Sequence, residues 1–193
     1  MELILIGMVT FVVSGLTLFS GFGLGTVLLP VFAVFFPLPL AIATTAIVHF
    51  LNNLFKFGLM AKKADWRVVV RFGIPAAVAA LLGAMVLNLF NDMPVIRYYT
   101  IGSSSFEITL VKAVIGALIV VFSLLELWPR FQDLAFPARW LPVGGALSGF
   151  FGGLSGNQGA LRSAFLIKAG LSKEAFIATG VVSAIIVDVV RLT

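Results

Sequence analysis

Two hydrophobic stretches of this chain contain glycine at a density that a continuous helix does not need. Residues 14–30 read SGLTLFSGFGLGTVLLP and residues 148–164 read SGFFGGLSGNQGALRSA. Glycine opens a helix and leaves backbone N–H and C=O groups without intrahelical partners. In hydrocarbon such groups are tolerated only where they face protein, water or a ligand. A matched pair of glycine-broken apolar segments is the sequence pattern of a transporter's binding site.

The setting is a bilayer. Of 193 residues 61% are hydrophobic and 11% charged, far from the roughly 25% charged of a soluble domain. The net charge of +5 comes without an arginine-rich run, which argues against nucleic acid and for topology signals and lipid headgroups. With no cysteine and one histidine, disulfides, thiolate sites and a histidine metal cluster are excluded, and no cofactor is expected. The start, Met1-Glu2-Leu3, lacks a basic n-region and reads as a retained membrane segment.

Apolar runs of spanning length, about 20 residues, predict an all-α polytopic membrane protein. The predicted segments are 3–20, a half-length stretch at 26–36, 40–60, 68–89, 109–127, a broken segment at 141–169, and 173–193. Residues 3–36 would measure about 51 Å as one helix, so they must bend or turn back. Lys62, Lys63, Arg67 and Arg71 mark the turn near residue 64 as cytoplasmic. Counting crossings then places 128–139 on the cytoplasmic side and the polar connection 91–106 outside.

An offset of 134 residues pairs Ser14 with Ser148, Gly15 with Gly149, Gly25 with Gly159, Ala41 with Ala175, Thr45 with Thr179 and Val48 with Val182. This predicts two tandem repeats, 1–127 and 140–193, joined by 128–139 within one membrane domain. The second repeat lacks a counterpart to the two spans after residue 60, so the native chain is expected to extend past Thr193.

The tandem SGFGLGTVLLPVF and SGFFGGLSGNQGALRSAFLIKAGLSKEAF, with AIATTAIVHFLNNLFKF and FIATGVVSAIIVDVVRL following them, resemble the TauE/SafE sulfite exporter family. The resemblance covers nearly the whole chain, although members are usually longer by about two spans. Members commonly carry three consecutive glycines where this chain has Gly23-Leu24-Gly25 and Asn157-Gln158-Gly159. The resemblance implies a membrane permease that exports sulfite, organosulfonates or related small anions.

Such a substrate needs donors and positive potential, not a nucleophile. Gly23 and Gly25 precede one helix start, and Asn157, Gln158 and Gly159 precede the other, offering backbone N–H groups and two positive dipole ends. The alternative for these glycines is tight helix packing. Thr45, His49, Asn52, Asn53 and Lys56 share one face of a helix about 100° wide. Such a stripe avoids lipid and lines a path, or it joins helices while Lys56 snorkels to the interface. Arg162 would neutralise substrate or pair with Asp188; Asp188 would instead pair with Arg191. His49 and Asp188 are the coupling candidates, since histidine titrates near neutrality. Thr179 joins the list of path-lining residues.

The reading is a secondary transporter, in the exporting direction, for a small sulfur-containing oxyanion across the cytoplasmic membrane, with a homo-oligomer left open. The alternatives are a permease or channel for another solute, or a non-transporting assembly component. No P-loop is present, and no serine–histidine–acid arrangement points to an enzyme.

Overall fold

The structure, a computed structural model, describes residues 2–20, 24–91, 93–102, 104–128, 130 and 134–192. Its helices are α1 (Glu2–Ser20), α2 (Leu24–Phe35), α3 (Leu38–Met60), α4 (Trp66–Asn91), α5 (Leu110–Leu127), α6 (Leu141–Ser155), α7 (Gly159–Leu166) and α8 (Lys173–Leu192). Four of them, α3, α4, α5 and α8, are long and apolar enough to cross a bilayer. The chain is a helical membrane protein.

Prolines and glycines set the helix ends. Pro39 and Pro142 lie in the first turns of α3 and α6, where no N–H partner is required. Gly156 ends α6 in the left-handed conformation at φ +80°, and its N–H bonds the Gly152 carbonyl at 2.9 Å.

The polar connection after α4 departs from the all-α expectation. Strands β1 (Val95–Ile101) and β2 (Ser104–Thr109) pair antiparallel, with Tyr99 stacked on Phe106. The β-branched and aromatic run VIRYYTI suits a pleated surface better than a loop.

The tightest packing joins α4 to α6. Gly145, Gly149 and Gly153 face the backbone carbonyls of Phe72, Ala76 and Ala80, and a Cβ on any of the three glycines would collide with them. Gly83 likewise faces the Phe150 carbonyl. Residue numbers rise together along both helices, so α4 and α6 run parallel, as two crossings in the same direction require. Small residues at every fourth position let the two backbones touch, which in lipid supplies the dispersion contact that apolar burial cannot.

Both broken segments fold back as helical hairpins. Phe165 of α7 lies against Gly144 near the start of α6, and the Phe136 N–H bonds the Ala164 carbonyl at 3.1 Å. Thus α7 returns along α6. In the first segment, Asn52 and Lys56 of α3 bond the carbonyls of Ser14 and Thr17, so the end of α1 lies beside the second half of α3. Only Phe36 and Pro37 separate α2 from the start of α3, so α2 must carry the chain back. Its 12 residues span about 18 Å, enough for that return. Residues 2–35 are therefore not one straight crossing.

The bounds of the two hairpins correspond. α1 ends at Ser20 and α6 at Ser155; α2 begins at Leu24 and α7 at Gly159; α3 begins at Leu38 and α8 at Lys173. Each pair is 135 residues apart, one more than the offset of 134 read from sequence. At 135, Ile42-Ala43-Thr44 meets Ile177-Ala178-Thr179. Glycine and serine recur so often around the breaks that a one-residue slip still finds identities.

Candidate functional site

The two breaks meet. A Cβ on Gly25, the second residue of α2, would lie 2.9 Å from the Gly156 carbonyl oxygen and 3.3 Å from Asn157 Oδ1. Gly25 therefore allows the approach of the second break. Beside it, Thr26 Oγ1 lies 3.4 Å from Asn157 Oδ1 and 3.2 Å from Glu126 Oε1 of α5. One hydroxyl has one proton, so Thr26 donates to one of these acceptors at a time. Gly23 lies outside the described residues.

The start of α7 is uncapped. Gln158 is the N-cap residue, and its side chain makes no capping bond to the first N–H groups of the helix. The Gln158 carbonyl is held by Ser148 Oγ at 3.0 Å and by the Arg162 N–H at 3.0 Å. Its side-chain amide donates instead to Asp188 Oδ1 at 3.4 Å. Gly159, the first residue of α7, is half-buried. Two buried donors, Asn157 Nδ2 just before α7 and Arg162 Nη1 from its first turn, have no hydrogen-bond partner among the described residues. Arg162 is 6% exposed, and its side chain runs beside Gly180 of α8, so it does not snorkel. A helix N-terminus without a cap from its N-cap side chain, with a buried guanidinium nitrogen that lacks an acceptor in the first turn, favours an anion.

Asp188, fully buried on α8, gathers a second set of side chains. His49 Nδ1 lies 2.5 Å from its Oδ2, Asn53 Nδ2 donates to the same oxygen at 3.2 Å, and Arg191 Nε lies 3.6 Å from Oδ1. A contact so short to a carboxylate makes His49 Nδ1 the proton-bearing nitrogen. The 3.0 Å contact between Asn53 Nδ2 and the same nitrogen then joins two donors and is not a hydrogen bond. Of the two ion pairs open to Asp188 in the sequence, Arg191 takes the place considered for Arg162.

The polar stripe on α3 divides between two neighbours. His49 and Asn53 turn to α8, whereas Asn52 Nδ2 donates to the Ser14 carbonyl at 3.2 Å and Lys56 Nζ to the Thr17 carbonyl at 2.9 Å. Lys56 is 6% exposed, so it is buried against α1 and does not reach for the interface. Thr45 Oγ1 bonds the Ala41 carbonyl of its own helix at 2.8 Å. Thr179 lies apart from the breaks: its Oγ1 accepts the Asp65 N–H at 2.9 Å and ties α8 to the turn before α4. Sequence reading singled out neither Thr26 nor Glu126. A threonine in an apolar helix and a glutamate near a helix end carry no pattern by themselves; only the meeting of α2, α5 and the second break brings them together.

Comparison with individual curated proteins and with solved structures gives no match. A family model, Sulfite exporter TauE/SafE, matches residues 3–193, essentially the whole chain. Both hairpins, the α3 stripe and the Asp188 cluster lie inside that match, and the chain therefore belongs to the sulfite exporter TauE/SafE family of membrane transporters for sulfur compounds.

Proposed function

We propose that the chain is a secondary transporter that moves a small sulfur-containing oxyanion, such as sulfite or an organosulfonate, outward across the cytoplasmic membrane. The observation that carries this reading is that Asn157 Nδ2, just before α7, and Arg162 Nη1, from its first turn, are buried without hydrogen-bond partners among the described residues. A buried guanidinium nitrogen without an acceptor is costly, and an oxyanion offers the acceptor it lacks. Gly25 and Asn157 bring the first break to the same place.

The two hairpins act as re-entrant elements of two repeats in opposite orientation, entering from opposite faces of the membrane. The common separation of 135 residues between their bounds supports this, as does the antiparallel run of α3 against α8, where Asn53 meets Asp188 and Asp65 meets Thr179. Exposed Leu51, Phe55 and Leu59 on α3 suit a lipid-facing surface. An inside-negative potential drives an anion outward by about 2.3 kcal/mol per charge per 100 mV.

The test is flux of radiolabelled sulfite from proteoliposomes, with and without a proton gradient and a membrane potential. Flux that competing sulfonates inhibit supports the reading. Arg162→Ala is expected to lower that flux by about tenfold or more, the effect of one charged hydrogen bond, while the protein still inserts. Unchanged flux in this variant removes Arg162 from the site, and no flux from well-inserted parent protein rejects the oxyanion.

A further inference from the structure

Gln158 stands between the two clusters. Its carbonyl accepts the first hydrogen bond of α7, its amide nitrogen bonds Asp188 at 3.4 Å, and its side-chain oxygen Oε1 is buried without a partner among the described residues. The contact to Asp188 is the longest of the hydrogen bonds that the carboxylate receives, so it is the one most easily given up. On the far side of the carboxylate, His49 closes the cluster at 2.5 Å.

We propose that the His49–Asp188 pair is a proton site linked through Gln158 to anion binding at the start of α7. This rests on the oxyanion reading above and adds a coupled proton to it. With the pair at charge −1, Asp188 holds the Gln158 amide and its field opposes a second negative charge beside Arg162, which lies within its Coulombic reach. One proton from solvent brings the pair to charge 0, whichever of the two residues carries it. The neutralised pair then draws less strongly on the Gln158 amide, which turns more readily toward the start of α7, and the anion meets less opposing negative charge. Linkage is reciprocal: the anion draws in a proton to the same extent that the proton favours the anion.

The charged groups that face the pair are basic. Arg191 on α8, Arg162 on α7 and Lys56 further along α3 are cations held in the same interior. α6 carries no ionisable side chain. On α4 the ionisable side chains are Arg67 and Arg71, both exposed. Lys62 and Lys63 sit in the exposed turn before α4, near Thr179 and two helical turns from Asp188.

The experiment titrates the detergent-purified chain with methanesulfonate and with sulfate, whose charges do not change between pH 5.5 and 8, as sulfite's does. Calorimetry in two buffers of different ionisation enthalpy counts the protons taken up. The expected result is tighter binding at lower pH, approaching tenfold per pH unit for one linked proton, with up to one proton absorbed per anion. Asp188→Asn is expected to bind with the affinity the parent shows at acid pH, independent of pH and without proton uptake. Since that variant could unfold, the buffer comparison on parent protein decides the matter alone: binding with no proton uptake at any pH overturns the linkage and leaves the anion site standing. Failure of both anions to bind at any pH overturns the linkage together with the site it serves. A pH slope that persists in folded Asp188→Asn assigns the proton elsewhere and also overturns the proposal.

Discussion

Lys56 and Arg191, 135 residues apart, make equivalent contacts. Lys56 Nζ donates to the Thr17 carbonyl at 2.9 Å, and Arg191 Nη1 donates to the Gly152 carbonyl at 3.1 Å. Thr17 and Gly152 both lie in the last turn of a helix that stops inside the protein, α1 at Ser20 and α6 at Ser155. The last carbonyls of a helix carry the negative end of its dipole and have a second lone pair to offer, so a cation there is favoured; the Gly152 carbonyl accepts from both Gly156 N–H and Arg191. Each hairpin is thus held at its break by a cation from the helix that follows it. In the same register Asn53 corresponds to Asp188, and these two residues bond each other.

Removing the two cations should have unequal effects. Lys56→Met removes one hydrogen bond from a charged donor, a loss of about 1.5–3 kcal/mol. Arg191→Met also takes a partner from buried Asp188, and breaking a buried pair costs about 3–5 kcal/mol. Unfolding in detergent should therefore rank Arg191→Met below Lys56→Met; the reverse order would show that Arg191 is not the partner that Asp188 needs.

Arg162→Met is predicted to separate stability from binding. A buried guanidinium nitrogen with no partner is unfavourable in the ligand-free protein, so the variant should melt at or above the parent temperature. Adding sulfite at about 100 times its Kd should stabilise the parent by about 2.7 kcal/mol and leave the variant unmoved. Equal sulfite protection of both proteins would place the anion away from α7.

Glycine at 149 and glycine at 116 should respond in opposite directions. A Cβ on Gly149 meets the backbone of Ala76, which cannot move unless α4 and α6 separate, so Gly149→Ala should destabilise. Gly116 of α5 has open space around its Cβ position, and Gly116→Ala should stabilise by about 0.5–1 kcal/mol through helix propensity. Thermal unfolding of the two variants side by side checks this, and similar shifts would contradict the close α4–α6 contact.

The meeting of the two breaks is open to cross-linking because the chain has no cysteine of its own. Thr26→Cys combined with Asn157→Cys should oxidise to an intramolecular disulfide, seen as a mobility change reversed by reductant. A pair made of Gly116→Cys and Asn157→Cys is the control and should remain reduced. Failure of the first pair to cross-link, in protein that still inserts, would separate the hairpins.

Hydropathy and glycine content are local properties, and they alone determined that this is a helical membrane protein opened at two places. Chain length against bilayer thickness determined that residues 3–36 cannot be one straight crossing. Family membership was also legible, since it rests on the motifs around both breaks. The strands Val95–Ile101 and Ser104–Thr109 have a local signal in their β-branched run, whereas the polarity of 91–106 predicts only a connection. Tertiary structure decided the rest. It chose Arg191 and His49 for Asp188 in place of Arg162, buried Lys56 against α1, and sent Thr179 to the α4 turn. The physical reason is common to all of these. A polar atom in an apolar interior must find a partner, but which one it finds depends on the depth and rotation of neighbouring helices, set here by glycine contacts such as those between α4 and α6.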